Sequence, residues 1–235
     1  MYEIPVMAVT GTSKGIGQGI VQYFTDRGYR VVGCSRGPST LDIENYQHTQ
    51  VDVGDEKQVR EWIRSIKRVY QHIDVLVCNA GFMPGGMLMT MTQADVLDVV
   101  LRTNVIGTFY TCREVAKLMM LQKYGRIITI SSIMASVHAE GTSAYSASKS
   151  AVVEMTKILA KELATTGVTC NVIAPSLVLT ETAQALGKTV VERVLEKQTI
   201  KRDLTISEIC NAIAFFMAPE SGSITGQVLN MGLVN

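Results

Sequence analysis

Histidine is scarce in this chain. His48, His72 and His138 are the only three in 235 residues, and neither they nor the cysteines fall at the short paired spacings of a zinc site. No metal is therefore expected. Cys34, Cys78, Cys112, Cys170 and Cys210 are odd in number, far apart and set mostly among apolar neighbours, the pattern of reduced core thiols rather than of a disulfide framework. Excess charge of either sign is also missing, since 22 Lys and Arg against 21 Asp and Glu leave a formal charge of +1. Without a whole-molecule field to attract nucleic acid or anionic lipid, neither is expected as a partner. No run approaches the roughly 20 apolar residues that span a bilayer. The start MYEIPVMAVT also lacks the basic region and cleavage site of a secretion signal. Together these absences point to a cytoplasmic location away from membranes.

What the chain does have is apolar material, 47% hydrophobic against 18% charged, enough for a buried core and outside the range of disordered chains. Its length is that of one α/β domain, taken as residues 1–235. Short β-branched runs (IPVMAVT, YRVVGCS, IDVLVCNAG, GRIITISS, VTCNVIAP) alternate with longer helical patterns, as βαβ units do. The runs are continuously apolar, as in a parallel sheet covered by helices on both faces. The segment with Val59, Ile63 and Ile66 on one side and Arg60, Glu61, Arg64 and Lys67 on the other is an amphipathic helix. The expected fold is α/β: a Rossmann-type doubly wound parallel sheet in three αβα layers, one domain. The strand-poor stretch from Ser176 to about Gly226 reads as helices over a pocket mouth, with a substrate loop at about 176–203.

A dinucleotide site is predicted in the amino-terminal half. The first strand runs into Thr10-Gly11-Thr12-Ser13-Lys14-Gly15-Ile16-Gly17 and then a helix. Glycines let backbone approach a ligand closely, and a helix N-terminus offers free N–H groups to a pyrophosphate. Strand, turn and helix in this order weigh against a merely structural turn. Where a dinucleotide site reads the adenosine ribose, an acid would accept from the 2′-hydroxyl and repel a 2′-phosphate. Here Ser35-Arg36 follows the second strand, with Lys14 in the glycine turn. Two cations without an acid favour NADP(H) over NAD, although each alone would pass for a solvated surface charge.

Thr10-Gly-x-x-x-Gly-x-Gly17, Cys78-Asn79-Ala80-Gly81, Asn104, Ser132 and Tyr145-Ser-Ala-Ser-Lys149 together resemble the short-chain dehydrogenase/reductase family, from Val6 to about Gly226. Tyr-x-x-x-Lys alone is a weak pattern. Its conjunction with a serine 13 residues upstream and the glycine turn is specific. Reduction of a carbonyl by a nicotinamide leaves an alkoxide that needs an acid beside it. Tyr145 is the candidate, and Lys149, four residues on, shares its helical face. Bringing a phenol from its ordinary pKa of about 10 to neutrality takes about 4 kcal/mol, which a nearby ammonium is expected to supply. The resemblance implies that Lys149 also bonds the nicotinamide ribose, Ser132 orients the carbonyl and Asn104 supports a water-linked proton path. It further implies cofactor contacts at Gly11, Ser13, Lys14, Gly15, Ile16, Gly17, Ser35, Arg36, Asp52, Val53, Asn79, Ala80, Gly81, Tyr145, Lys149, Pro175, Val178 and Thr180. Asp52 stands equally well as an adenine contact and as a turn cap.

Two places depart from the family pattern. Pro175-Ser176 replaces the usual Pro-Gly, which predicts an altered path for the loop over the nicotinamide. Asn230-Met231-Gly232-Leu233-Val234-Asn235 replaces the usual Gly-Gly ending, in a segment that often helps build tetramers in relatives. A homo-oligomer, dimer or tetramer, is still expected. Met83, Met87, Leu88, Met89, Met134, Val137, Leu177, Val178 and Leu186 form either an apolar, adaptable mouth or core packing beneath it. His138 reads as a loop residue. Overall the chain is most similar to 3-oxoacyl-(acyl carrier protein) reductases, which dock an acidic carrier on basic residues near the mouth. Lys123 keeps one such position and Thr166 replaces the other, weakening that docking. The function expected is an NADP(H)-dependent interconversion of a carbonyl and a secondary alcohol, a 3-oxoacyl thioester being one substrate. The alternatives are reduction of a small or sugar-derived ketone without a carrier protein, and a non-catalytic NADP-sensing protein.

Overall fold

The computed structural model describes residues 4–180 and 188–233. In chain order the elements are β1 (Val6–Thr10), α1 (Gly15–Thr25), β2 (Arg30–Ser35), β3 (Tyr46–Gln50), α2 (Glu56–Tyr70), β4 (Val75–Cys78), α3 (Ala94–Leu101), α4 (Gly107–Gln122), β5 (Gly125–Ile130), α5 (Met134–Val137), α6 (Ser143–Glu162), β6 (Val168–Pro175), α7 (Lys188–Lys197), α8 (Ile206–Met217) and β7 (Val228–Met231). The strands form one seven-stranded sheet in the order β3-β2-β1-β4-β5-β6-β7. Every pairing is parallel. This is the expected Rossmann-type architecture. The strand order reverses between β1 and β4, and the crevice at such a reversal is where open α/β sheets bind ligands.

Alternation along the central strands supplies both faces. Val6 and Ala8 of β1 join Val59, Trp62, Ile63 and Ile66 of α2 and Val115 and Met119 of α4 on one side. Met7 and Val9 join Ile20 and Phe24 of α1 and Ile209, Ile213 and Phe216 of α8 on the other. The start of α2 is fixed by Asp55, whose side chain accepts from the amides of Lys57 and Gln58. That of α8 is fixed by a capping box between Thr205 and Glu208. Helix α8 is therefore a sheet-covering core helix and not part of the expected cover over the mouth. Its apolar stripe finds more buried area on the sheet than at a rim.

One irregularity matters for the site. Arg102–Ile106 forms a π-helical turn that carries α3 directly into α4, with the Gly107 amide donating to the Arg102 carbonyl. Such insertions often mark functional positions. Asn104 lies in this turn, buried.

Candidate active site

A cleft of about 470 Å³ opens at the carboxyl ends of β1 to β6 and is lined by residues that follow each of them. Of the expected cofactor contacts, Gly11, Ser13, Lys14, Gly15, Ile16, Ser35, Arg36, Asp52, Val53, Asn79, Ala80, Gly81, Tyr145, Lys149, Pro175, Val178 and Thr180 all line it, and so does Ser132. Gly17 and Asn104 do not.

Gly17 sits behind the turn. A Cβ there would run into the Gly11 carbonyl and lie 2.5 Å from Asn79 Nδ2, so its role is to let the turn and the β4 loop meet. A Cβ on Gly11, at φ +76°, would come within 2.8 Å of Ala80 Cα. These junctions are stitched by the Asn79 side-chain amide donating to the carbonyls of Thr10 (3.0 Å) and Gly11 (3.1 Å). Helix α1 has no side-chain cap and no acid in its first turn, in contrast to α2. A bare, bare-backed cradle at a helix N-terminus fits a pyrophosphate. Lys14 and Arg36 are exposed at its edge. Asp52 caps a turn, its Oδ1 accepting from the Gly54 amide at 2.9 Å, and it also lines the cleft.

At the other end of the cleft, Lys149 is 4% exposed, and its Nζ donates to the Ile130 carbonyl at 2.8 Å and lies 5.7 Å from the Tyr145 ring centroid. Burial pulls the Lys149 pKa down to about 8. Burial pushes Tyr145 up to about 12, and the nearby Ser132 side chain offsets part of that push. This corrects the expected lowering of the phenol by the ammonium. Tyr145 is half-buried in the cleft wall, and desolvation of a phenolate there is the larger effect. At neutral pH Tyr145 is a neutral phenol, able to donate.

Asn104 is 1% exposed and does not itself line the cleft. Its Oδ1 accepts from the Phe82 amide (2.7 Å), and its Nδ2 donates to the Phe82 carbonyl (3.0 Å) and to Ser148 Oγ (2.9 Å). Its own carbonyl accepts from Thr108 Oγ1 at 2.7 Å. Its side chain thus ties the backbone at Phe82 to Ser148 of α6. Ser148, which the Tyr-x-x-x-Lys motif leaves unspecified, completes that link by donating to the Tyr145 carbonyl at 2.7 Å. Ser131 Oγ likewise donates to the Lys149 carbonyl at 2.9 Å. Only the adjacency of these serines to the motif residues could have signalled them.

The apolar residues divide. Met83, Met134, Leu177 and Val178 line the cleft. Leu88 and Met89 are exposed, at 52% and 74%, and belong neither to the core nor to the wall. Met87 is tied by its amide to the Gly141 carbonyl at 2.9 Å, neither it nor Val137 lines the cleft, and Leu186 lies outside the described residues. His138 is exposed, at the left-handed end of α5. Ser176 is absent from the residues with positive φ, so the loop after β6 needs no glycine there. Thr180 folds back over the glycine turn, its Cγ2 lying 3.3 Å from where a Gly15 Cβ would be. Lys123 and Thr166 precede β5 and β6. They therefore lie at the amino-terminal edge of the sheet, opposite the cleft, which corrects their expected place near the mouth of the same chain.

Residues 11–232 match the family model described as enoyl-(acyl carrier protein) reductase. The chain belongs to the short-chain dehydrogenase/reductase family. Membership makes it an oxidoreductase. It is 30% identical over 236 residues to the 3-oxoacyl-[acyl-carrier-protein] reductase FabG of Escherichia coli (strain K12), covering 98% of this chain and 96% of that protein. Among solved structures, it is similar to ElxO with NADP bound (TM-score 0.91, 29% identity, 97% of this chain and 98% of the other). It is also similar to a variant of actinorhodin polyketide ketoreductase with NADPH (TM-score 0.89, 29% identity, 98% and 97%). In this short-chain dehydrogenase/reductase the glycine turn, Ser132, Tyr145 and Lys149 thus share one cleft.

Proposed function

We propose that the chain is an NADP(H)-dependent ketoreductase in which Tyr145 donates the proton to the carbonyl oxygen, Ser132 orients that oxygen and Lys149 holds the ribose side of the site. The observation that carries this reading is that Ser132, Tyr145 and Lys149 line the same cleft as the glycine turn. The dinucleotide, when bound, supplies the reducing equivalent as hydride. Tyr145 enters the reaction with its proton in place, since its pKa is well above neutrality. Lys149 Nζ, anchored on the Ile130 carbonyl, keeps a cation beside the developing phenolate. Lys14 and Arg36 carry no acidic partner among the described residues and are free for a 2′-phosphate. NADP(H) in both structural relatives cited above supports the same cofactor. The presence of Tyr145, Lys149 and Ser132 together weighs against a sensor without turnover.

For the substrate we infer a 3-oxoacyl thioester. Similarity to FabG and the apolar wall of Met83, Met134, Leu177 and Val178 support it. A second reading, a small or sugar-derived ketone without a carrier protein, is favoured by the place of Lys123 and Thr166 far from the cleft of their own chain. We take residues 1–235 as one domain, with a substrate loop at 176–203 of which 181–187 lie outside the described residues. We further infer a homo-oligomer, dimer or tetramer, because α4 and α6 expose Phe109, Met120 and Ile158. A cytoplasmic location is supported by five free thiols, with Cys78 and Cys112 hydrogen-bonded at 3.6 Å rather than joined as a disulfide.

The test compares kcat/KM for acetoacetyl-carrier protein, acetoacetyl-CoA and a panel of simple ketones with NADPH at fixed ionic strength. Turnover of both thioesters is expected. Inert thioesters beside a rapidly reduced ketone would establish the second reading, and no turnover of any carbonyl would remove both.

A further inference from the structure

The edge strand β3 turns a polar row toward the glycine turn and the 35–37 turn. Tyr46, His48 and Gln50 alternate along one face, and each reaches the adenosine end of the cleft. The Tyr46 hydroxyl donates to Thr12 Oγ1 at 2.9 Å, His48 Nε2 lies 2.8 Å from Ser35 Oγ, and Gln50 Nε2 donates to the Arg36 carbonyl at 3.3 Å. Gly33, paired with His48 in the register, makes the room. A Cβ there would sit 2.6 Å from Thr12 Oγ1 and 2.7 Å from the Tyr46 hydroxyl.

The protons on this face can be assigned. The single hydroxyl hydrogen of Ser35 is donated to the Gly37 carbonyl at 2.9 Å. The contact with His48 therefore requires Ser35 Oγ to accept and His48 Nε2 to carry the hydrogen. The result is a relay from His48 to Ser35 to Gly37 that closes the turn bearing Arg36. Ser35 is 8% exposed and has no hydrogen left to give a ligand. The glycine turn is held separately, by the Gly11 amide on the Cys34 carbonyl at 2.7 Å and by Asn79, so loss of the relay leaves the pyrophosphate cradle in place.

We propose that His48 is a positioning residue for 2′-phosphate recognition: through Ser35 it fixes the 35–37 turn so that Arg36 meets a 2′-phosphoadenosine, with Ser35 a support and not a ligand. This rests on the NADP(H) reading above. His48 acts on one cofactor only, because NAD has no group for Arg36 to hold.

The experiment uses cofactor-free protein. Dissociation constants for NADP and NAD are measured by titration calorimetry for the parent, His48→Phe (no donor) and His48→Gln (an N–H at similar reach), and the His48 tautomer is read by 15N NMR of the imidazole. Expected are the Nε2–H tautomer, a loss of about 2- to 12-fold in NADP affinity for His48→Phe, the range for one neutral hydrogen bond, NAD affinity within about 2-fold, and recovery in His48→Gln. An Nδ1–H tautomer, an unchanged NADP affinity in His48→Phe, or equal losses for both cofactors would overturn the proposal. A parent that binds NAD as tightly as NADP would instead show that the cofactor reading had failed, and the selectivity role with it.

Discussion

Ser176 Oγ occupies the space that a Cβ on Gly232 would need. The two places where this chain leaves its family's pattern are therefore in contact, and the hydroxyl between them is buried without a hydrogen-bond partner among the described residues. The Ser176 amide donates to the Met231 carbonyl at 3.0 Å, which ties the loop after β6 to the end of β7. Gly232, at φ +85°, carries the left-handed backbone. Gly232→Ala is expected to cost about 2 to 4 kcal/mol, from backbone strain and overlap together. Adding Ser176→Gly should recover about 1 to 3 kcal/mol of this by removing the overlap alone. Urea denaturation of the two single variants and the double variant measures the coupling. Strictly additive losses would show that the two positions do not compete for space.

Tyr145→Phe should leave NADPH affinity within about 2-fold and lower turnover by at least ~100-fold, the usual scale for a general acid. Fluorescence titration and steady-state assay on one preparation separate the effects. Near-normal turnover would exclude Tyr145 as the donor.

The pH profile of ketone reduction should have a single descending limb. kcat/KM reports groups of the free enzyme, where Lys149 lies at about 8 and Tyr145 at about 12. Below about pH 8 both hold their protons. Above it Lys149 loses its charge while the phenol stays protonated, so the rate falls about tenfold per pH unit. The stability contribution has the opposite slope. Because the Lys149 pKa is lower folded than its ordinary 10.5, the unfolded chain binds the extra proton between the two values, and this group's destabilisation fades as pH rises from about 8 to 10.5. A limb that does not move in Lys149→Arg would assign it to another group.

Arg36→Ala should weaken NADP binding by about 10- to 150-fold, the loss of a charge-assisted contact of ~1.5 to 3 kcal/mol, with little change for NAD. Calorimetric titration of both cofactors reads the difference. Equal losses would point to a structural part for Arg36.

Alkylation of the native protein should leave Cys78 and Cys112 unmodified until it unfolds. Both are buried, and the mutual hydrogen bond and burial push the Cys78 pKa up, away from the reactive thiolate. Thiol counting before and after denaturant measures this, and rapid native labelling of either residue would contradict it.

The sequence by itself determined whatever depends on neighbours along the chain. Continuous apolar runs give parallel strands, Gly11 and Gly15 supply the turn before a helix, and the four-residue step from Tyr145 to Lys149 puts both on one face of α6. Each follows from a fixed backbone period, so spacing alone carries it. The tertiary structure decided contacts between distant residues: Asn104 with Ser148, Ser176 with Gly232, His48 with Ser35, and Lys123 and Thr166 at the edge opposite the cleft. The π-turn at Arg102–Ile106 has no period to announce it. The charge state of Tyr145 was decided there too. A cation four residues away argues for a lowered phenol, but desolvation depends on how completely the folded chain surrounds the ring, and in this cleft burial outweighs the ammonium that α6 brings alongside.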